Sequence, residues 1–181
     1  MFYWVSIDPA NRSGVAFWVR HDAGDNSGDR LLKTGIVRAM GNKGNYVVEA
    51  GGGGDKYESK LRTWNNVLLG QSAVAIEEGA GRFVSAVKAQ ALLRGYIRAV
   101  WDFTVLVRND TTVLGNFHTI NVSEWRRVIK EHYGVSWPKD SERCKALSVK
   151  LVNEHFGVNV SDDEADAVLI GVAARRMRLI G

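Results

Sequence analysis

One cysteine, Cys144, is all that the 181 residues contain, so no disulfide can form within the chain and a reducing compartment suits it. No apolar run approaches the roughly 18 residues that a membrane-spanning helix needs. The longest block, Ala167 to Ala174, runs straight into Arg175, Arg176 and Arg178. The opening Met1-Phe2-Tyr3-Trp4-Val5 lacks the basic region and small-residue cleavage site of a signal peptide. The expectation is a soluble, intracellular protein with no membrane partner. Cys144 and the four histidines show no zinc-like spacing, and no Gly-x-Ser-x-Gly elbow occurs. The glycine run Gly51 to Gly54 lacks the Lys-Ser/Thr of a phosphate-cradling loop. Internal repeats and low-complexity tails are missing, and a net charge of +4 says little by itself about a polyanionic partner.

What remains is ordinary globular material: 45% hydrophobic and 24% charged residues. The length predicts a single domain over residues 1–181, enough to hide about 70% of its unfolded surface.

Phe2 to Ile7, nearly all aromatic or β-branched, reads as a strand buried on both faces. A turn cluster from Asp8 to Gly14 leads into a second strand, Val15 to Val19, making an antiparallel hairpin. After the polar segment His21 to Arg30, a third strand is predicted from Lys33 to Met40, and Gly41 to Gly54 reads as a surface loop. Asp55 and Glu58 carry a capping-box pattern for a helix ending at Gly70. Ser72 to Ile76 is a short apolar strand ending in Glu77-Glu78, followed by a glycine turn and a helix from Arg82 to Val100, an order that implies a parallel addition to the sheet. Phe103 to Val107 reads as a fifth strand, and Phe117 to Val122 is a further candidate. Ser123 is expected to cap a helix to His132, Asp140 or Ser141 opens one to Gly157, and Ser161 with Glu164 forms the capping box of the last. The class is α/β, a mixed five-stranded sheet of three antiparallel strands and two parallel additions, flanked by helices.

Four carboxylates stand where chemistry could use them. Asp8 and Glu77 end the first and fourth strands, beside glycine-bearing turns, and would be neighbours if those strands ran parallel. Asp163 and Asp166, three apart, share one face of the last helix, at its second and fifth positions. Clustered carboxylates without His or Cys favour a hard cation, Mg²⁺ or Mn²⁺. Two such ions about 4 Å apart form a phosphoryl-transfer clamp.

Ser6-Ile7-Asp8-Pro9-Ala10-Asn11-Arg12-Ser13-Gly14, then Ala75-Ile76-Glu77-Glu78, then Asp163-Glu164-Ala165-Asp166-Ala167-Val168 resemble, in order, the three acidic motifs of RuvC-type Holliday-junction resolvases of the RNase H-like superfamily. The long stretch Arg108 to Val122 is similar to divergent phage or viral members. The resemblance implies an RNase H-like fold and a homodimer in the cytoplasm of a bacterial or phage-infected cell. It also implies paired cleavage of four-way DNA junctions with two Mg²⁺ or Mn²⁺ ions, held by Asp8, Glu77, Asp163 and Asp166 as catalytic ligands. Glu78 is the rival of Glu77, which directly follows the apolar Ala75-Ile76. Lys139, Arg143 or Lys145 corresponds to the family's basic support. Arg82 and Phe83 fall in the loop that would open the junction, where Phe83 is equally a core candidate for the next helix.

Setting four of the 20 acidic residues aside leaves 24 basic residues facing 16, and phosphate contacts are then expected from Arg12, Lys88, Arg94, Arg98, Arg126, Arg127 and Lys130. Val84, Val87 and Ala91 are a candidate apolar dimer face, unless they pack on the chain's own sheet. An RNase H-like nuclease for another branched DNA or an RNA–DNA hybrid, and a non-catalytic nucleic-acid-binding module, are the alternatives. An actin-like kinase needs two domains, and 181 residues are too few.

Overall fold

The computed structural model describes residues 1–10, 12–20, 28–40, 45–50, 64–78 and 84–180. Its centre is a mixed sheet of β1 (Phe2–Asp8), β2 (Arg12–Arg20), β3 (Arg30–Met40), β4 (Asn45–Ala50), β5 (Ala73–Glu78) and β6 (Phe117–Asn121), in the order β4-β3-β2-β1-β5-β6. The first four strands pair antiparallel in succession, while β5 joins β1 and β6 joins β5 in parallel. Alternation along the strands builds two cores. Val5, Ile7, Val74 and Ile76 face α1 (Trp64–Leu68) and α2 (Val84–Val107). Trp4, Ala73 and Ala75 face α3 (Val122–Tyr133), α4 (Ser141–Phe156) and α5 (Asp162–Arg176).

Three expectations are corrected. Phe103 to Val107 is the last part of α2, not a strand. Its β-branched and aromatic composition is outweighed by packing, since Val100, Trp101, Thr104 and Val105 form one buried helical stripe, with the Thr104 hydroxyl donating to the Val100 carbonyl at 2.7 Å. The fifth strand of the core sheet is Phe117–Asn121. Part of the Gly41 to Gly54 loop, Asn45–Ala50, is an edge strand held by its register on β3, from Gly35↔Ala50 to Met40↔Asn45. The cap of α3 is Asn121 rather than Ser123: its side chain accepts from the Ser123 N–H at 2.9 Å, and Glu124 accepts from the Asn121 N–H at 3.2 Å. The capping pattern at Asp55 and Glu58 lies outside the described residues.

α5 lies close against the sheet. Gly14 of β2 makes this possible, because a Cβ there would sit 1.8 Å from the Asp163 carbonyl oxygen. Farther along, a Cβ on Gly171 would meet the Trp18 ring at 2.6 Å. Between them the buried Ser6 hydroxyl donates to the Ala167 carbonyl at 2.7 Å and accepts from the Trp18 indole at 2.8 Å.

Candidate active site

The parallel register pairs Ile7 with Ile76, so Asp8 and Glu77 follow side by side at the C-terminal ends of adjacent strands. Both belong to the sheet face of Trp4, Ala73 and Ala75, which α5 covers. The capping box of α5 holds its first turn over that point: the Ser161 N–H and hydroxyl donate to Glu164 Oε2 at 3.0 and 2.7 Å. Glu164 Oε1 meanwhile accepts from Thr34 of β3 at 2.8 Å, tying the helix start to the sheet.

The four carboxylates sense one another. Burial lifts Asp8 well above the usual carboxylate range, helped by the charges of Glu77, Asp166 and Asp163 and opposed by Lys145. Burial raises Glu77 to about 7 despite a hydrogen bond from Trp125 and the nearby Arg126 and Arg94 guanidinium groups. Asp166 is raised by burial, with the neighbouring Ser148 hydroxyl, Arg126 and Lys145 pulling the other way. Asp163 is raised by burial and Asp162, and eased by Lys145 and Arg12, whose Nε lies 3.2 Å from its Oδ2. Such a cluster is short of positive charge.

Asp166 Oδ1 is buried and accepts no hydrogen bond. A buried carboxylate oxygen without a donor is costly, and a hard cation beside it removes the cost. The residues therefore fit a divalent ion. Among the described residues, no three acidic, His or Cys side chains already form a preformed cage for one. Closing on an ion requires side-chain adjustment.

The basic candidates separate. Lys145 is the one of its trio whose charge reaches Asp8, Asp163 and Asp166, and it also pairs with Asp162. Lys139 and Arg143 are exposed, as is Lys88 on α2. Arg126 is drawn in, its guanidinium 5.2 Å from the ring centroids of both Trp125 and Trp137. Arg82 and Phe83 lie outside the described residues. Glu78 is exposed, one residue out of phase with the site-facing positions.

Sequence reading missed Trp125 and Ser148. β6 pairs Asn121 beside Glu78, and α3 starts one residue later, so Trp125 sits within its first turn. Its indole N–H donates to Glu77 Oε2 at 2.7 Å. Fully buried Trp is normally read as core; an indole N–H needing an acceptor was the available signal.

No family model matches the sequence, and no curated protein matches it significantly. Solved structures do match. A Thermus thermophilus RuvC structure aligns at 14% identity and a TM-score of 0.56, covering 98% of each chain. T. thermophilus RuvC in complex with a Holliday junction substrate aligns at 16% identity and 0.56, covering 100% of this chain and 97% of that one. The fold is RuvC-like. Within this RuvC-like fold the three resembling motifs occupy the end of β1, the end of β5 and the start of α5. Among the described residues no helix is long and apolar enough to cross a membrane.

Proposed function

We propose that this chain is a metal-dependent endonuclease that resolves four-way DNA junctions by paired, symmetric phosphodiester hydrolysis. The observation that supports the reading is that the charges of Glu77, Asp166 and Asp163 all reach the buried Asp8, together with an Asp166 oxygen that accepts no hydrogen bond. The RuvC-like fold, shared with a protein solved on a Holliday junction, supports the choice of substrate.

Asp8, Glu77, Asp163 and Asp166 are the ligands in this reading. Bound there, two Mg²⁺ or Mn²⁺ ions supply Lewis-acid stabilisation of the attacking and leaving oxygens. Trp125 fixes one Glu77 oxygen and leaves the other free to turn inward. Lys145 balances the acidic cluster from α4 and stands ready to meet a phosphate oxygen. Arg126 and Arg94 flank Glu77 and extend positive potential along the strand-end surface, and Arg12 does so beside Asp163.

A four-way junction is approximately two-fold symmetric, and one site per chain cannot cut both strands, so a C₂ homodimer suits the reaction. We place its face on α2, where Val87 and Ala91 of the expected patch are exposed and a longer exposed apolar row lies on the same helix. Leu92, Tyr96, Phe103 and Leu106 are 76%, 45%, 60% and 60% exposed and, with exposed Ala99, follow a four-three spacing.

The test is cleavage of a synthetic four-way junction beside linear duplex and an RNA–DNA hybrid, with Mg²⁺, Mn²⁺ or EDTA. Junction cutting in either metal, its absence in EDTA, and loss of cutting with retained binding in Asp8→Asn are expected. Preferential cutting of the hybrid redirects the substrate, and turnover in EDTA overturns the mechanism.

A further inference from the structure

Among the described residues, Asp163 alone of the four site carboxylates stands in an ion pair: Arg12 Nε lies 3.2 Å from its Oδ2. The hairpin puts Arg12 there. β1 and β2 pair Asp8 with Gly14, and Gly14 faces the Asp163 carbonyl of α5. Arg12, two residues earlier on β2, shares that face. The buried Ser13 hydroxyl closes the approach from β1, donating to the Ala10 carbonyl at 2.7 Å and accepting from the Ala10 N–H at 3.1 Å. The backbone on either side of Arg12 is thus held, while its side chain, 47% exposed, stands at the rim of the site.

Lys145 is the other cation whose charge eases Asp163, but it rests on Asp162, which is outside the ligand set. Its pairing leaves the ligands open, and that of Arg12 does not. Stability is a poor account of the Arg12 contact, because an ion pair with a half-exposed partner contributes little. Competition is a better one. A carboxylate oxygen held by a guanidinium is closed to a divalent ion, and two cations at contact distance repel. Arginine stays charged at every accessible pH, so it cannot yield by losing a proton. It has to move. A phosphodiester gives it a place to go, since the guanidinium fork matches phosphate oxygens. A phosphate brought to these carboxylates lies within one swing of the Arg12 side chain.

We propose that Arg12 is a latch on the metal site, holding Asp163 in the free chain and transferring to a backbone phosphate of bound DNA. This role rests on the four carboxylates being metal ligands. Its consequence is that DNA, by drawing Arg12 away, frees a ligand oxygen, so that metal and substrate load cooperatively.

Calorimetric titration of Mn²⁺ into the full chain without DNA, for wild type, Arg12→Gln and Arg12→Lys, tests it. Arg12→Gln should bind Mn²⁺ more tightly than wild type by about threefold or more, because a competing cation is gone. Arg12→Lys keeps a charge there and should stay near wild type. A merely structural contact predicts the opposite sign for Arg12→Gln, since a loosened Asp163 is a poorer ligand. The second readout is the Mn²⁺ concentration that half-saturates single-turnover cleavage of a four-way junction. For wild type it should fall well below the DNA-free Kd. Part of that gap comes from the charge of the DNA and persists in Arg12→Gln; the part carried by Arg12 is lost, narrowing the gap by about threefold. Equal or weaker DNA-free binding by Arg12→Gln, an unchanged gap, or Arg12→Lys binding as tightly as Arg12→Gln overturns the latch while leaving the metal site standing. Absence of Mn²⁺ binding by wild type and Arg12→Gln alike at millimolar concentration overturns the metal site, and the latch with it.

Discussion

Glu77 is the residue whose ionisation most directly links the site to stability. Its pKa of about 7 lies above the ordinary 4.5, so the folded chain holds this proton more tightly than the unfolded one. That contribution, of order 3 kcal/mol, is full below about pH 4.5 and lost as pH rises through 7. Asp8 and Asp166, also raised, act in the same direction. Divalent ions bind the ionised forms and reverse the trend. The metal-free Tm should therefore fall between about pH 5 and pH 8, and Mg²⁺ should raise Tm more at the upper end. Thermal melts in EDTA and in Mg²⁺ check both; a metal-free Tm that climbs across this window contradicts the site's electrostatics. Trp125→Phe keeps most of the buried ring and deletes the N–H that Glu77 accepts. Loss of such a supporting contact costs about 10–100-fold in metal affinity or activity. A Mg²⁺ titration of cleavage should show it as a raised metal requirement, and an unchanged requirement removes Trp125 from the supporting role.

Among the elements, α5 decides whether the site exists. Its N-terminal turn carries Asp163 and Asp166, and its depth rests on Gly14 of β2. A methyl group at Gly14 would strike the Asp163 backbone, which no side-chain rotation can relieve. Gly14→Ala should thus destabilise by at least the roughly 1–3 kcal/mol of ordinary overpacking. It should also abolish cleavage, since the helix start must retreat from Asp8. Urea unfolding with a cleavage assay reads both effects; wild-type values for both would mean that α5 is not held at this depth. The opposite face of the sheet is served by α2, whose buried stripe runs on through Thr104 and Val105. Its last turns follow from that packing despite their strand-like composition.

For the whole molecule, the exposed α2 face and the two-fold symmetry of a junction meet in the proposed dimer. Phe103→Asp with Leu106→Asp places two charges in the C-terminal part of an apolar seam, while both residues are exposed in the single chain. The variant should keep its Tm at low concentration, sediment as a monomer, and make single unpaired nicks. Analytical ultracentrifugation with a junction-nicking assay decides this; an unaltered dimer moves the interface elsewhere, and a wild-type monomer on the junction removes symmetric resolution.

Local chemistry wrote much of this protein into its sequence. The apolar run of β1 places Asp8 at a strand end, and the Ser161–Glu164 pair fixes Asp163 and Asp166 in the first turns of α5, because capping and periodicity act within a few residues. The order of strands and helices was legible for the same reason, except where composition and packing disagreed at Phe103–Val107 and where a glycine-flanked strand, Asn45–Ala50, depends on its partner. The sequence already favoured Glu77 over Glu78, because Glu77 follows the apolar Ala75-Ile76, and tertiary structure supplied the common face with Asp8. Two adjacent glutamates point to opposite faces, and only the register on β1 says which face holds Asp8. Packing of α4 on α5 likewise selected Lys145 from three basic residues, and the entry of β6 into α3 brought the Trp125 indole to Glu77. These contacts join residues tens of positions apart, through pairings that no short stretch of sequence encodes.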